Sequence, residues 1–468
     1  MVRNMSLCVL KPDACERKIE YDIINDIQNS GFETICFKKL NLSREDIDVL
    51  YYESKDQPYY EDLVEYLRSG PVICFIAKKE NAVDELNKLV GATNPIDAED
   101  FTLRKKYGQN ILKNTIHSSN DNRLIEEIKQ LYKVDDISKI ITFPCYFKLK
   151  DGTFCHTVAE NCYEGEKIIG IPKYFCSQSD DVFDIRYFNG IGYFRNDSYS
   201  ESITYAKLFG NGNIDRIKRY GEDLCVYDIS QVERVYNPFD KAREIYNYEG
   251  CDIVLKDAKE ILNIMVKHLD IPLCDIGIEG SILLEGHRSN SDIDIVVKGI
   301  KSTTKLKENF NKLGLLEQIR LYDERDSKLI FSRRKKYKSF YTVAEMIEQE
   351  KLRTVGLING RRFWMQPILG SNLLDIGDRI IKKCGTIKIE GMILDSKYSY
   401  LWPAHYKVED YNGEVFSVEC YDPVYMNQAL LGDIVYLEGP LYKDIATGEK
   451  IIIYSPWNND LQIFKKQN

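Results

Sequence analysis

The first 133 residues alternate between short apolar runs and longer stretches with helical periodicity. The apolar runs Ser6–Leu10, Thr34–Lys39 and Val72–Ala77 have the length and composition of strands. Amphipathic helices are predicted at Glu20–Ser30, Arg44–Tyr52, Glu61–Leu67, Ala82–Val90 and Arg123–Tyr132. This order predicts an α/β domain in which helices cover a sheet.

Beyond residue 133 the pattern changes. A β-rich stretch carries many tyrosines and a hairpin signal at Asp151-Gly152. A mixed stretch follows, with a helix predicted over Asp257–His268 and a strongly apolar strand at Ile293–Val297. The tail has short strand-like runs separated by turns, which favours a small β barrel. We therefore predict an α/β (α+β) protein of four domains, with ranges 1–133, 134–240, 241–370 and 371–468.

The composition of the chain argues against several classes of function and location. The 468 residues carry a net charge of −9, which argues against broad electrostatic binding to nucleic acid or anionic membranes. No apolar run is long enough to span a bilayer, and the chain enters a strand-like run without a signal-peptide core. We expect a cytoplasmic protein without membrane contact. The 13 cysteines are scattered singly, which predicts small buried apolar side chains rather than disulfides or a zinc site.

His117 is the first candidate for chemistry. It is one of five histidines and lies in a polar, turn-like segment just after the apolar pair Ile111-Leu112. A neutral imidazole nitrogen attacks phosphorus well near neutral pH, so this histidine is a candidate phosphate acceptor. Other candidate residues precede it at wide spacing: Lys11, Tyr51, Tyr59, Thr93, Arg104 and Asn114.

These motifs, in this order and at this spacing, resemble those of nucleoside diphosphate kinase over residues 5–133. The resemblance implies a ferredoxin-like α/β core, Mg²⁺ as cofactor, and ping-pong transfer of a γ-phosphoryl group between nucleoside tri- and diphosphates such as ATP. It implies that His117 is the nucleophile and that Glu127 orients its imidazole. It also implies that Lys11 and Asn114 contact the ribose and phosphates, and that Tyr51 contacts the transferred phosphoryl group. Thr93 and Arg104 would contact the distal phosphates. Tyr59 and Ile111 would contact the base.

The chain also departs from the family pattern near its active site. Ser118 and Asn120 stand where the family has a glycine and an acidic residue. Asn87 stands at the position of a second phosphate-binding arginine, and the adjacent Lys88 is predicted to replace it. The alternative to a working kinase is a nucleotide-sensing or regulatory protein whose kinase domain binds nucleotide without turnover and whose second module is the effector.

A second constellation combines a Gly-Ser turn with two aspartates. Gly280 and Ser281 precede Asp292 and Asp294, which alternate at the start of an apolar strand and so share one face. Two such carboxylates can hold a divalent metal against triphosphate oxygens, while a glycine turn permits close approach of the phosphates. This resembles the polymerase-β-type nucleotidyltransferase superfamily; the alternative is a solvated strand edge.

The wider stretch 139–465 resembles a group of predicted nucleotidyltransferases known mainly from archaea, on matching features at Lys150–Gly152, Gly170–Tyr174 and Gly432–Val435. The resemblance implies a linked module that adds nucleotides to RNA, protein or a small acceptor. The basic run Arg333–Lys338, supported by Arg361 and Arg362, is a candidate contact to RNA or to a triphosphate, or else a solvated face. The kinase family generally forms hexamers or tetramers, so a homo-oligomer is expected.

Overall fold

The structure is a computed structural model of the whole chain. It describes residues 4–467 except 121, 136, 138–142, 159–162, 165–166, 177–184, 189, 197–201, 205, 207–211, 334–339, 370–378 and 459. The predicted basic run around 333–338 therefore lies almost wholly outside the described residues.

The N-terminal part is an antiparallel sheet covered by helices. Its strands are β1 Met5–Leu10, β2 Glu33–Leu40, β3 Val72–Lys78 and β4 Ile116–Ser118, in the order β2-β3-β1-β4. Its helices are α1 Pro12–Glu16, α2 Glu20–Asn29, α3 Arg44–Leu50, α4 Tyr60–Leu67, α5 Ala82–Val90, α6 Leu103–Tyr107 and α7 Leu124–Tyr132. The ferredoxin-like α/β prediction is confirmed, and the predicted strands and helices recur with shifts of only one or two residues at their ends.

Apolar side chains fill both faces of this sheet. One cluster includes Ile23 and Leu86 from α2 and α5. The cluster on the other face includes Ile128 of α7 and continues into Phe147 and Tyr227 of the next part of the chain. The kinase-like domain and the β-rich part therefore share a continuous hydrophobic core.

The β-rich part has two antiparallel sheets. Its strands are β5 Tyr146–Leu149, β6 Phe154–His156, β7 Tyr163–Glu164, β8 Lys167–Ile169, β9 Ile171–Cys176, β10 Ile185–Phe188, β11 Ile191–Arg195, β12 Asn213–Ile217, β13 Glu222–Asp228 and β14 Val232–Tyr236. The sheet orders are β10-β11-β9-β6-β5-β14 and β12-β13-β8-β7. Strands β5 and β6 form the predicted hairpin, and Gly152 in its turn has φ +94°.

The next part is a five-stranded mixed sheet with helices against it. The strands are β15 Ile276–Ile278, β16 Ile293–Lys298, β17 Ile319–Leu321, β18 Val355–Ile358 and β19 Arg361–Ile368, in the order β15-β16-β19-β18-β17. The helices are α8 Pro238–Tyr246, α9 Ile253–His268, α10 Gly280–Leu283, α11 Ile300–Asn309, α12 Ser327–Arg333 and α13 Val343–Lys351. β16 and β19 are parallel, and the other pairs are antiparallel.

The C-terminal part is a small closed barrel, as predicted. Its strands are β20 Ile381–Asp395, β21 Ala404–Asp410, β22 Val415–Cys420, β23 Ile434–Asp444, β24 Lys450–Tyr454 and β25 Ile463–Lys466. Long β20 pairs with both β21 and β23, and this second pairing closes the barrel. Within the described parts of the chain, every helix is too short or too polar to cross a membrane.

Candidate functional site

His117 lies on the short strand β4, where it pairs with Val9 of the central strand β1. Lys11 follows β1 directly, and its backbone N–H donates to the Thr115 carbonyl at 2.8 Å. The antiparallel pairing therefore brings residues that are about 100 positions apart to one end of the sheet, beside the histidine.

The backbone before His117 is held in an unusual conformation. Thr115 has φ +74°, and the N–H of Ile116 donates to the Asn114 carbonyl at 2.8 Å. A β-branched residue at positive φ is rare and costs on the order of 1–3 kcal/mol. The buried Asp13 holds the turn, because its carboxylate accepts from the Thr115 hydroxyl at 3.2 Å and also from the Tyr66 hydroxyl.

Glu127 on α7 lies beside the His117 ring. Its Oε2 is 3.4 Å from Nε2 of His117, and it also accepts a hydrogen bond from the Ser119 hydroxyl. A carboxylate on one ring nitrogen fixes the tautomer and leaves the other nitrogen as the nucleophile. The ring of Tyr51 lies on another side of the imidazole, with ring centroids 5.0 Å apart.

Lys11 is almost fully buried beside these rings, at 3% exposure, with its Nζ 5.4 Å from the Tyr51 ring centroid. Burial lowers the pKa of Lys11 to about 7; the neighbouring Arg104 adds to this effect and Asp13 opposes it. A bound phosphate would supply the negative charge that favours the protonated ammonium.

Two buried polar atoms near His117 have no hydrogen-bond partner among the residues that the structure describes: the Tyr51 hydroxyl and Oδ1 of Asn114. Burial also raises the pKa of Tyr51 above its usual value. Buried polar atoms are normally satisfied, so their position beside a histidine is typical of a pocket that takes a polar ligand. The amide nitrogen of Asn114 donates to the Thr93 carbonyl at 2.7 Å, which fixes the loop that carries Thr93.

Arg104 on α6 spans two neighbouring loops. Its guanidinium donates to the carbonyl of Gly91 at 3.0 Å and to that of Ile116 at 2.9 and 3.3 Å. Burial lowers its pKa from the usual value. Arg104 thus braces the backbone next to His117, and contact with a phosphate would draw on the same donors.

The structure places Lys88 away from this cluster. Lys88 is 72% exposed along its side chain, and its ammonium contacts Glu85 at 3.0 Å. Asn87, one position earlier on α5, instead accepts from the Ser118 hydroxyl at 2.5 Å and donates to the Ser119 carbonyl at 3.3 Å. Successive helical residues point about 100° apart, so only one of the two can face β4. The hydrogen bonds of Asn87 to Ser118 and Ser119, and that between Asp13 and Thr115, were not predicted from the sequence.

The residues expected around the base lie at the surface. Tyr59 is 52% exposed and Ile111 63% exposed, while Thr93 is also exposed. Exposed apolar side chains beside a buried polar cluster suit a nucleotide whose phosphates enter first and whose base stays near solvent.

The second constellation also comes together, around β16 and α10. Gly280 has φ +64°, and a Cβ at this position would lie 2.5 Å from Oδ2 of Asp294. The N–H of Glu279 donates to the Asp294 carbonyl at 2.8 Å, and the Ser281 and Ser291 hydroxyls are 3.3 Å apart. The glycine is therefore required by both its conformation and the close carboxylate.

Asp292 and Asp294 line a cavity of about 720 Å³, together with Glu279. Burial raises the pKa of Asp294 to about 6; Asp292 adds to this effect and Arg362 opposes it. Asp292 pairs with Arg362 at 2.9 Å. Among the described residues, no group of three or more His, Cys, Asp or Glu side chains is placed to hold a metal ion.

Arg361 and Arg362, which were expected to support a contact to RNA or to a triphosphate, both have partners inside the fold, and Arg362 lines the cavity beside Asp294. Arg361 contacts Asp257 at 2.7 Å and donates to the Ser291 carbonyl at 2.7 Å. Arg362 is held by Asp292, as above. Arg361 therefore makes its contacts inside the fold, whereas Nε of Arg362 is buried without a hydrogen-bond partner among the described residues.

Comparisons with known proteins bear on the N-terminal domain. The family model for nucleoside diphosphate kinase matches residues 4–137. The nucleoside diphosphate kinase of Persephonella marina is 41% identical over 114 residues, which are 24% of this chain and 81% of that protein. That of Methanocaldococcus jannaschii is 36% identical over 137 residues, 29% of this chain and 98% of that protein.

Solved structures with matches to the chain include a nucleoside diphosphate kinase from Halobacterium salinarum in complex with CDP. The match has 28% sequence identity and a TM-score of 0.27. It covers 29% of this chain and 89% of the Halobacterium salinarum chain. The relatives in sequence match along most of their own length. Through its N-terminal domain, the chain belongs to the nucleoside diphosphate kinase family.

Proposed function

We propose that the N-terminal domain transfers a γ-phosphoryl group from ATP to nucleoside diphosphates through a phosphohistidine at His117. The contact between Nε2 of His117 and Glu127 carries this proposal, because it leaves Nδ1 as the nucleophile. Buried Lys11 and the unpartnered hydroxyl of Tyr51 supply donors for phosphate oxygens in the same pocket. Membership of the family supports the same reaction.

The transfer takes two steps. Nδ1 of His117 bonds to the γ-phosphorus while the bond from that phosphorus to the bridging oxygen breaks, and the nucleoside diphosphate leaves with the electron pair. A terminal oxygen of a second nucleoside diphosphate then attacks the phosphohistidine, and the nitrogen–phosphorus bond breaks. Protonated Lys11 stabilises the charge on the phosphate oxygens in both steps.

Mg²⁺ is the cofactor implied by the family. Two carboxylates near the pocket already have partners: Asp13 is bound by Thr115 and Tyr66, and Glu127 by His117 and Ser119. Mg²⁺ usually retains waters and is held by substrate phosphates with one or two carboxylates. The site therefore fits a Mg²⁺ ion that is bound mainly by the nucleotide phosphates. The ion would neutralise part of the negative charge of those phosphates.

Labelling with γ-labelled ATP tests the kinase proposal. We expect acid-labile label on the wild-type protein, discharge of that label by added GDP, and no label on His117→Ala. His268→Ala is the matched control, since His268 is exposed at the end of α9. A wild-type protein that binds ATP without acquiring acid-labile phosphate would refute turnover and favour the nucleotide-sensing alternative.

We further propose that the second cavity carries out nucleotidyl transfer, as part of a module of units 134–240, 241–370 and 371–468. The position of Asp292 and Asp294 in one cavity with Gly280 of the Gly-Ser turn favours it, because two such carboxylates can hold a divalent metal against triphosphate oxygens. An acceptor hydroxyl would attack the α-phosphorus and pyrophosphate would leave. Asp294, whose pKa is raised by burial, would accept the hydroxyl proton as the general base. Asp292 and Asp294 are the two carboxylates that would hold a divalent metal ion, which would neutralise charge on the triphosphate oxygens; among the described residues, no third His, Cys, Asp or Glu side chain completes the group.

Labelling with each α-labelled nucleoside triphosphate tests the second proposal. We expect label to pass to RNA, protein or a small acceptor, and to be lost in the double variant Asp292→Asn/Asp294→Asn. The exposed Asp240→Asn is the control. Absence of label transfer with every nucleotide and acceptor class would refute it.

A further inference from the structure

The cavity beside Asp294 draws part of its lining from the β-rich part of the chain. Arg186 on β10 and Arg195 on β11 line it, opposite in charge to Glu279, Asp292 and Asp294. Neither arginine belongs to the Gly-Ser and aspartate motif, and neither was a candidate from sequence.

The two arginines lie on the same face of their sheet. Arg186 pairs directly with Tyr193 across the antiparallel β10–β11 pair, and Arg195 lies two residues after Tyr193. Residues that oppose each other, and residues two apart on a strand, share a face. Tyr193 packs in one cluster with Leu283 of α10 and its neighbour Leu284. This packing holds the arginine-bearing face against the helix that begins at Gly280.

Arg186 has no salt-bridge partner among the residues that the structure describes. Within the part of the chain that the structure describes, its Nε and Nη1 are shielded from solvent and have no hydrogen-bond partner. Arg362 and Arg353 in the same cavity differ in having a carboxylate partner, Asp292 at 2.9 Å and Glu350 at 2.8 Å, although the Nε of each also has no hydrogen-bond partner among the described residues. Leaving a buried guanidinium unpaired is costly, so this wall is suited to an anionic ligand. The planar guanidinium of arginine can form bidentate hydrogen bonds with phosphate or carboxylate groups.

Three tryptophans line the same cavity: Trp364, Trp402 and Trp457. They are all the tryptophans of the chain. Planar aromatic surfaces together with a free arginine favour a ligand that joins a ring to phosphates.

We propose that Arg186, with Arg195, binds the phosphate chain of a nucleoside triphosphate in this cavity, so that the β-rich part completes the site. The choice of nucleotide as the ligand rests on the proposed nucleotidyl transfer, whereas the anion site rests on the geometry of the arginines. The kinase site at His117 is separate and lacks any tryptophan, since residues 1–133 contain none.

Tryptophan fluorescence can therefore report this cavity alone. The full chain in a His117→Ala background, which removes phosphoryl transfer, would be titrated with ATP, GTP, CTP and UTP and with inorganic tripolyphosphate. We expect a saturable change with at least one nucleotide, and at least tenfold weaker binding in Arg186→Gln. Arg216→Gln is the matched control, because Arg216 is an exposed arginine of the same part that contacts Asp223 at 3.3 Å.

The outcomes separate the two proposals. Equal affinity of Arg186→Gln and its parent, or no fluorescence response to any triphosphate, would overturn the arginine site. If tripolyphosphate bound as tightly as the nucleotides, the proposal that this cavity also binds the nucleotide base would be overturned. An Arg186-dependent response without any α-label transfer would refute nucleotidyl transfer and uphold the binding site. Unchanged phosphohistidine formation by Arg186→Gln in a His117-containing chain would show that the variant is folded.

Discussion

At the residue scale, the fold alters the acid–base behaviour of Lys11. A lysine on a solvated surface stays charged at neutral pH, whereas burial brings the pKa of Lys11 to about 7. The residue is therefore close to its titration point under ordinary assay conditions. In the free protein, the charge of Lys11 therefore changes with pH near neutrality, whereas an ordinary lysine remains charged in that range.

We predict that this titration appears in the rate of His117 phosphorylation at limiting ATP. As pH rises from 7 to 9, Lys11 loses its proton and the second-order rate constant should fall by about tenfold, as expected where one charged donor to the phosphate is lost. In Lys11→Arg the guanidinium stays charged. The high-pH decline should then be absent, even if the overall rate is lower. Superimposable pH profiles for the two proteins would contradict this assignment.

Gly280 provides a second prediction at this scale. Gly280→Ala places a Cβ both at positive φ and 2.5 Å from the Asp294 carboxylate, whereas Gly299→Ala has φ +84° with open space around it. Both should lose on the order of 1 kcal/mol of unfolding free energy to backbone strain. Gly280→Ala should lose about 1–3 kcal/mol more through the steric clash. Urea unfolding measures both, and equal losses would show that Asp294 moves aside freely.

At the element scale, helix α9 illustrates how a boundary is set. The apolar periodicity predicted a helix from Asp257, but the structure begins it at Ile253, because Asp252 caps it. Oδ1 of Asp252 accepts from the N–H groups of Val254 at 2.7 Å and Leu255 at 3.2 Å. A cap satisfies backbone donors that the helix itself cannot, so it extends the helix beyond its periodic core.

Removing this cap should destabilise the central part of the chain. We predict that Asp252→Ala lowers the unfolding free energy by about 1 kcal/mol, whereas Asp252→Asn, which keeps an acceptor oxygen, lowers it much less. His287 contacts Asp252 at 3.2 Å and would lose that partner as well in the alanine variant. Thermal unfolding of both variants at pH 7 measures the difference. A loss as large in the asparagine variant would assign the effect to the charge rather than to the cap.

At the scale of the whole molecule, the parts of the chain are joined by packing as well as by sequence. The hydrophobic core of the kinase-like domain continues into Phe147 and Tyr227. Lys298 at the end of β16 contacts Glu33 on the edge strand β2 at 2.5 Å and lies over the Phe239 ring. The N-terminal domain is therefore bordered by two other parts of the chain.

We predict that separating the N-terminal domain exposes this shared apolar face. An isolated fragment of residues 1–137 should unfold at a lower temperature than the same domain in the full chain, and should bind a hydrophobic dye more strongly. In both proteins, the amount of phosphohistidine formed at each temperature measures the folded fraction of the domain. An unchanged midpoint would show that the shared cluster contributes little to its stability.

The N-terminal fold and its candidate residues were predictable because they depend on local signals. Apolar periodicity located the strands and helices, and the spacing of Lys11, Asn114 and His117 carried the family resemblance. Lys88 and Asn87 show where that reasoning stops. The sequence does not show which of these two adjacent side chains faces β4, because that depends on how α5 is rotated against the sheet.

The sequence by itself thus determined the order of elements, the family of the first domain, the hairpin at Asp151-Gly152 and the barrel-like tail. Only the tertiary structure decided what lies across a cavity or a sheet: Asn87 against Ser118, Arg362 against Asp292, and Arg186 in the cavity of the aspartates. The reason is physical. Periodicity and turn chemistry act between near neighbours in the chain, whereas burial, charge pairing and pKa shifts depend on residues that folding brings together from distant positions.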